Sequence, residues 1–85
     1  PDLARVHRGF AREDLFVCVH EQFMTETAAM ADIVLPATMF LEHDDLYQGG
    51  GHQHIQLGMR VLDPPGECRS NHEVLCAIAR RVGAT

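Results

Sequence analysis

Lysine is absent from this 85-residue chain, and all seven of its cations are arginines. None of them lies between Arg12 and Arg60, an interval that carries Glu13, Asp14, Glu21, Glu26, Asp32, Glu42, Asp44 and Asp45. Seven bases against twelve acids leave a formal charge of −5. A protein that grips a phosphate backbone needs a basic stripe to displace counterions, so nucleic acid is not an expected partner. Cysteine is scarce: Cys18, Cys68 and Cys76 are odd in number and widely spaced, which suits neither a disulfide framework nor a C-x-x-C metal or redox site. Serine occurs once, at Ser70, and no G-x-S-x-G elbow is present, so hydrolysis by an activated serine has no support. The glycine run Gly49-Gly50-Gly51 lacks the G-x-G-x-x-G spacing that cradles a dinucleotide phosphate. No apolar stretch approaches the roughly 18 residues of a membrane span, and no basic-then-apolar leader opens the chain, so membrane insertion is not expected.

What is present reads as globular: 46% of residues are hydrophobic and 22% charged. The length allows a single α/β domain over residues 1–85. The first residue is Pro1 rather than Met, which reads as a piece of a longer protein. Cys18 and Cys76 lie in apolar settings and are expected to be small buried hydrophobes. A reducing, cytoplasmic compartment follows, with a periplasmic one left open for a longer parent.

Hydrophobic spacing gives the elements. Leu3, Val6, His7 and Phe10 recur at helical intervals beside Arg5, Arg8 and Arg12, predicting a short amphipathic helix over residues 2–12. Leu15-Phe16-Val17-Cys18-Val19 is a continuous apolar run of strand length, the pattern of a strand buried on both faces of a parallel sheet. Thr25 is the expected N-cap of a short helix through Met30, and Asp32-Ile33-Val34-Leu35 a second strand stopped by Pro36. About a dozen residues separate the two runs, near the minimum for a crossover between parallel strands. Ile55, Leu57, Met59 and Val61 alternate with polar residues and predict a half-buried strand. Ser70 with Glu73 forms a capping box for a last helix whose apolar face is Val74, Leu75, Ile78, Ala79 and Val82, with Gly83 as its stop. Phe16, Val17, Val19, Ile33, Val34, Leu35, Leu75 and Ile78 are expected to form one core. A chain this short buries only about 60% of its unfolded surface, so other apolar faces should stay exposed and allow a homodimer. The expected class is α/β: a small parallel or mixed sheet with flanking helices, a Rossmann-like fragment of a larger domain.

Candidate chemistry concentrates at strand ends. Glu21, with His20 before it, directly follows the first buried run, and open α/β sheets bind ligands outside the carboxyl ends of their strands. A carboxylate there can accept two hydrogen bonds from a ribose diol or from the N1–H and N2–H₂ edge of a guanine; it is equally readable as a surface acid. Thr25 and Thr27 could hold a phosphate or sugar oxygen, although capping explains Thr25 without a ligand. Asn71 opens the last helix with an amide that serves a ligand or a cap. Six histidines raise a metal reading, in which His52 and His54 share a strand face and His43, Asp44, Cys68 and His72 join them. Only H-x-H is closely paired, whereas tetrahedral zinc sites draw close pairs from two segments. A stand-alone histidine-rich metal-binding or interaction module is therefore the alternative reading. A third is a thiol-dependent enzyme through Cys18, sharing a strand face with His20.

The stretch from Glu21 through Thr25-Glu26-Thr27-Ala28 to Ala31-Asp32-Ile33-Val34-Leu35-Pro36-Ala37, followed by Glu42, resembles a signature of the molybdopterin oxidoreductases, the dimethyl sulfoxide reductase family. That signature runs strand, acidic residue, aromatic, T-x-T-A, then A-D-I-V-L-P and a glutamate. Pro65-Gly66-Glu67 with Ser70-Asn71 is similar to the family's P-G-E-x-x-S-D element before a helix. The likeness extends from about Asp14 to Gly83.

The resemblance implies a segment of a large catalytic subunit of the formate dehydrogenase or nitrate reductase kind. It would come from the α/β domain that helps hold a molybdopterin guanine dinucleotide carrying Mo or W. Its partners would be the remaining domains of that subunit. Glu21 matches the strand-end acid that meets the guanine end, with His20 beside it. His43 matches a position where some members place a basic contact to the cofactor. Asn71 stands where the family's element has Asp, which keeps a hydrogen-bonding group and removes the charge. Asp32, Pro36 and Glu42 match structural positions. The metal ligand and any iron–sulfur cluster would lie on other segments, so no residue here is nominated as catalytic or as a metal ligand. The isolated chain is expected to bind no cofactor and to turn over no substrate.

Overall fold

The computed structural model describes residues 2–84, which fall into two compact units, one ending at Pro36 and the other beginning at Ala37. The class is α/β, with one parallel and one antiparallel strand pair.

In the first unit, α1 (Leu3–Phe10) starts at Asp2, whose side chain accepts the Arg5 N–H at 3.1 Å. A short polar side chain at this position satisfies a donor that the first helical turn leaves open. Beyond the helix, the Arg12 guanidinium forks onto Asp14 and holds that carboxyl below its ordinary range. Both groups are exposed, so the pair adds little to stability.

Strand β1 (Cys18–Glu21) pairs in parallel with β2 (Ile33–Pro36), with Cys18 opposite Ile33 and Glu21 opposite Pro36. The connection carries α2 (Glu26–Ala29), capped by Thr25, whose hydroxyl accepts the Ala28 N–H at 3.1 Å. Ala28, 1% exposed, is the buried apolar residue of this helix. The ladder begins one residue ahead of the strands. Asp32 Oδ2 accepts the Val17 N–H at 2.7 Å, and the N–H groups of Asp32 and Ile33 both donate to the Val17 carbonyl, at 2.9 and 3.2 Å. It ends at Pro36, which has no N–H to continue it.

The strand therefore sits further along the chain than the apolar run: Leu15 and Phe16 precede the pairing and are exposed, while His20 and Glu21 belong to it. Cys18 is exposed, not a buried hydrophobe. A two-stranded sheet covered by one four-residue helix cannot enclose both faces of either strand.

The second unit carries a hairpin, β3 (Asp45–Gln48) against β4 (Ile55–Gly58), with Leu46 opposite Leu57. Strand β3 was not apparent in the sequence; four residues are too few for alternation to register, and they are extended because β4 pairs with them. Strand β4 is shorter than the alternation predicted. After it, the Arg60 N–H turns to Asp44 Oδ1 at 2.7 Å, and the N–H groups of Val61 and Leu62 both donate to the Leu41 carbonyl. The Tyr47 ring lies over Gly58, where a Cβ would collide with it. The expected half-burial is not met, since Ile55, Leu57, Met59 and Val61 are all exposed.

Helix α3 (Asn71–Arg81) behaves as its sequence reads. The Ser70 N–H donates to Glu73 Oε2 at 2.8 Å and the Glu73 N–H donates to Ser70 Oγ at 3.3 Å, closing the capping box. At the other end Gly83 adopts φ 77°, its N–H donates to the Arg80 carbonyl, and the Ala84 N–H donates to that of Ala79. These are the two bonds of a Schellman stop, and the left-handed residue they require is glycine.

The residues expected in the core are unevenly covered. Val17, Val19, Val34 and Leu35 are half-buried, but Phe16 is 68% and Leu75 65% exposed, with Ile33 and Ile78 exposed as well. Short paired elements present more apolar surface than they can cover.

Two substitutions test these supports. Asp32→Ala should lower unfolding stability by about 1 kcal/mol by leaving the Val17 N–H to solvent, while Asp32→Asn, which keeps an acceptor, should lose less; urea unfolding midpoints measure both. Ser70→Ala should cost about 1 kcal/mol and reduce helicity by circular dichroism. The Ser70 N–H, followed by its hydroxyl, holds the Glu73 carboxyl below its ordinary range. That depressed value means the carboxylate half of the box is complete above the unfolded glutamate range and is lost as pH falls through the folded value, while the Ser70 hydroxyl goes on accepting the Glu73 N–H. Helicity should fall in acid in both wild type and Ser70→Ala, since each keeps the backbone N–H that the Glu73 carboxylate accepts, and most of the difference between them should remain.

Candidate functional site

Parallel pairing gives β1 and β2 a common carboxyl end, and there the first unit presents His20 and Glu21. Side chains alternate along a strand, so Glu21 shares a face with Val19, and His20 shares the other with Cys18. Both His20 and Glu21 are half-buried. Glu21 Oε1 accepts the Gln22 N–H at 2.8 Å. An ionised carboxylate offers about four acceptor sites, so one bond leaves capacity for a ligand with two adjacent donors. Thr25 is committed to capping α2, as the local reading of that residue holds.

The second unit holds His43 and Asn71. His43 is half-buried, its Nδ1 2.6 Å from Thr38 Oγ1 and its Nε2 3.6 Å from Asp45 Oδ2. Thr38, 4% exposed, is a residue the sequence did not single out. Its N–H donates to the Arg69 carbonyl at 3.1 Å, beside a parallel bridge between Ala37 and Arg69. Arg69 directly precedes the cap of α3, so Thr38 ties His43 to the segment that presents Asn71. No spacing motif announces Thr38; its signal is a small hydroxyl residue inside an otherwise apolar stretch, Leu35 to Leu41. Glu42 stabilises the same turn, accepting the Met39 N–H at 2.9 Å while its own N–H donates to the Met39 carbonyl. Ser70 does the capping of α3, which leaves the exposed Asn71 amide unused in that role.

Hydroxyl, imidazole and carboxylate stand in the order of a nucleophilic triad at Thr38, His43 and Asp45. The hydroxyl is buried beyond substrate reach and the His43–Asp45 separation is too long for a hydrogen bond. The arrangement orients an imidazole and does not activate a nucleophile. His52 and His54 lie in the hairpin loop, not on a strand face; their rings are 5.5 Å apart and the His54 N–H donates to His52 Nδ1. His72 approaches Cys76 one helical turn away, with Nε2 3.7 Å from the sulfur. Among the described residues no group of three or more His, Cys, Asp or Glu could hold a metal ion, and no helix is long and apolar enough to cross a membrane.

The sequence profile described as molybdopterin oxidoreductase matches residues 1–81. The chain belongs to the molybdopterin oxidoreductase family. It is 48% identical over 85 residues to a probable oxidoreductase, YoaE, of Bacillus subtilis, a match that covers all of this chain and 12% of that protein. It is 36% identical over 84 residues to the periplasmic nitrate reductase of Desulfovibrio desulfuricans and 31% identical over 83 residues to formate dehydrogenase H of Escherichia coli. These matches cover 98% and 96% of this chain and 11% of each relative, so the chain spans about a tenth of their length. The family implies a molybdenum- or tungsten-bearing pterin; among the described residues no cluster of ligands for its metal is found, and the groups named above, a carboxylate and an imidazole in the first unit and an imidazole and an amide in the second, are hydrogen-bonding ones.

Proposed function

We propose that this member of the molybdopterin oxidoreductases supplies polar contacts to a molybdopterin guanine dinucleotide, within a molybdenum- or tungsten-dependent enzyme of the formate dehydrogenase or nitrate reductase kind. The parallel register that brings Glu21 to the carboxyl end of β1 carries this reading. With one oxygen engaged by the Gln22 N–H, the Glu21 carboxylate retains the acceptors that the N1–H and N2–H₂ edge of guanine requires. His20 lies beside it, and His43 and Asn71 add a ring nitrogen and an amide for further polar atoms of the cofactor. The unit β1–α2–β2 acts as a piece of a Rossmann-like sheet, in which ligands meet strand ends. When bound, the metal and its pterin supply the electron transfer; this chain binds and orients, and none of its residues is assigned a catalytic role. The other domains of the longer protein cover the exposed apolar faces. Three free thiols fit the reducing cytoplasm.

In the full protein that carries this chain, Glu21→Ala should weaken retention of the guanine nucleotide by roughly ten- to a hundredfold, the worth of a hydrogen bond to a charged group. The measurement is nucleotide released on denaturation, alongside metal content and the melting temperature. Wild-type nucleotide content in Glu21→Ala would overturn the proposal.

A further inference from the structure

We propose that Thr38 is a positioning residue, whose buried hydroxyl holds the His43 imidazole by Nδ1 and leaves Nε2 as the ring nitrogen that meets the cofactor. The inference rests on the reading that His43 contacts that cofactor and adds which nitrogen does so and what fixes it. An imidazole on a loop turns about two side-chain torsions and can offer either nitrogen. Here the 2.6 Å contact from Thr38 Oγ1 occupies Nδ1. Nε2 has Asp45 Oδ2 at 3.6 Å, beyond hydrogen-bond length, and so remains open to a ligand atom.

Thr38 is suited to this hold because it is itself held by its surroundings. It is 4% exposed, its backbone N–H donates to the Arg69 carbonyl, and the adjoining Ala37 bridges to Arg69. A β-branched side chain has few χ1 choices, so the hydroxyl stays where the backbone sets it. The turn that carries His43 is closed separately by the reciprocal bonds of Met39 and Glu42. Ring orientation and loop position therefore depend on different contacts, and a substitution can disturb the first without the second.

The test uses the full protein with four variants: Thr38→Val, Thr38→Ser, His43→Ala and His43→Asn. Thr38→Val keeps the shape and removes the hydroxyl; it should reduce nucleotide retention roughly two- to tenfold, the worth of one neutral hydrogen bond. Thr38→Ser should restore retention to the wild-type level. In protein labelled with ¹⁵N-histidine, the ring resonances of His43 should shift in Thr38→Val and return in Thr38→Ser, which a merely structural role for Thr38 would not produce. His43→Asn keeps a polar group at the Nδ1 position and nothing at Nε2; it should lose as much retention as His43→Ala. Reduced retention in His43→Ala with wild-type retention in Thr38→Val would overturn the role of Thr38 while leaving the cofactor reading standing. Wild-type retention in both His43→Ala and Glu21→Ala would overturn the two together. If Thr38→Val does not fold, His43→Asn decides: wild-type retention there would assign the contact to Nδ1 and overturn the proposal.

Discussion

A single carboxylate starts the parallel pairing from which the candidate strand-end site follows. Asp32 takes the Val17 N–H on its side chain, and its backbone, with that of Ile33, returns two bonds to the Val17 carbonyl. This fixes which residue of one strand faces which of the other. A slip of one residue would turn each side chain to the opposite face, and Glu21 would exchange places with His20. A carboxylate in this role explains why the residue before the apolar run is acidic: a methyl group there could not accept the N–H, and a longer side chain would not reach it in the same geometry. Pro36 bounds the other end, since beyond it the strand has no donor at that position.

The second unit is organised around a polar atom instead. Its one buried residue among those described is Thr38, and the hydroxyl and the backbone of that residue serve different elements. A buried hydroxyl is costly unless it is paired, and the His43 ring is a partner of the Thr38 hydroxyl. Around it the chain is held by a local turn at Glu42 and by bonds between distant positions, Asp44 to Arg60 and Leu41 to Val61 and Leu62.

What could be read from the residues depended on how local its cause was. The caps at Thr25 and Ser70 and the stop at Gly83 are contacts over a few positions, and the sequence displays them directly. The parallel pair was legible because two apolar runs stood a crossover's length apart. By contrast, β3 owes its extension to β4, and Thr38 owes its importance to Arg69, 31 positions away in the chain. Burial was misjudged for a related reason: apolar periodicity states that a face is suited to being covered, not that this chain covers it. Cys18, Leu75 and Ile78 are the cases in point. Of the site, Glu21 and His20 were visible as a strand end, and the ring-holding hydroxyl was not.

Closed at both ends by its own residues, α3 carries an uncovered stripe of Leu75, Ile78 and Val82. A stretch of eleven residues nucleates poorly in water, and terminal bonds of this kind offset part of that unfavourable start. When another surface meets the stripe, less backbone freedom remains to be surrendered, and more of the gain from burying leucine and isoleucine is expressed as affinity. A helix closed in this way would meet any covering surface with its backbone already ordered.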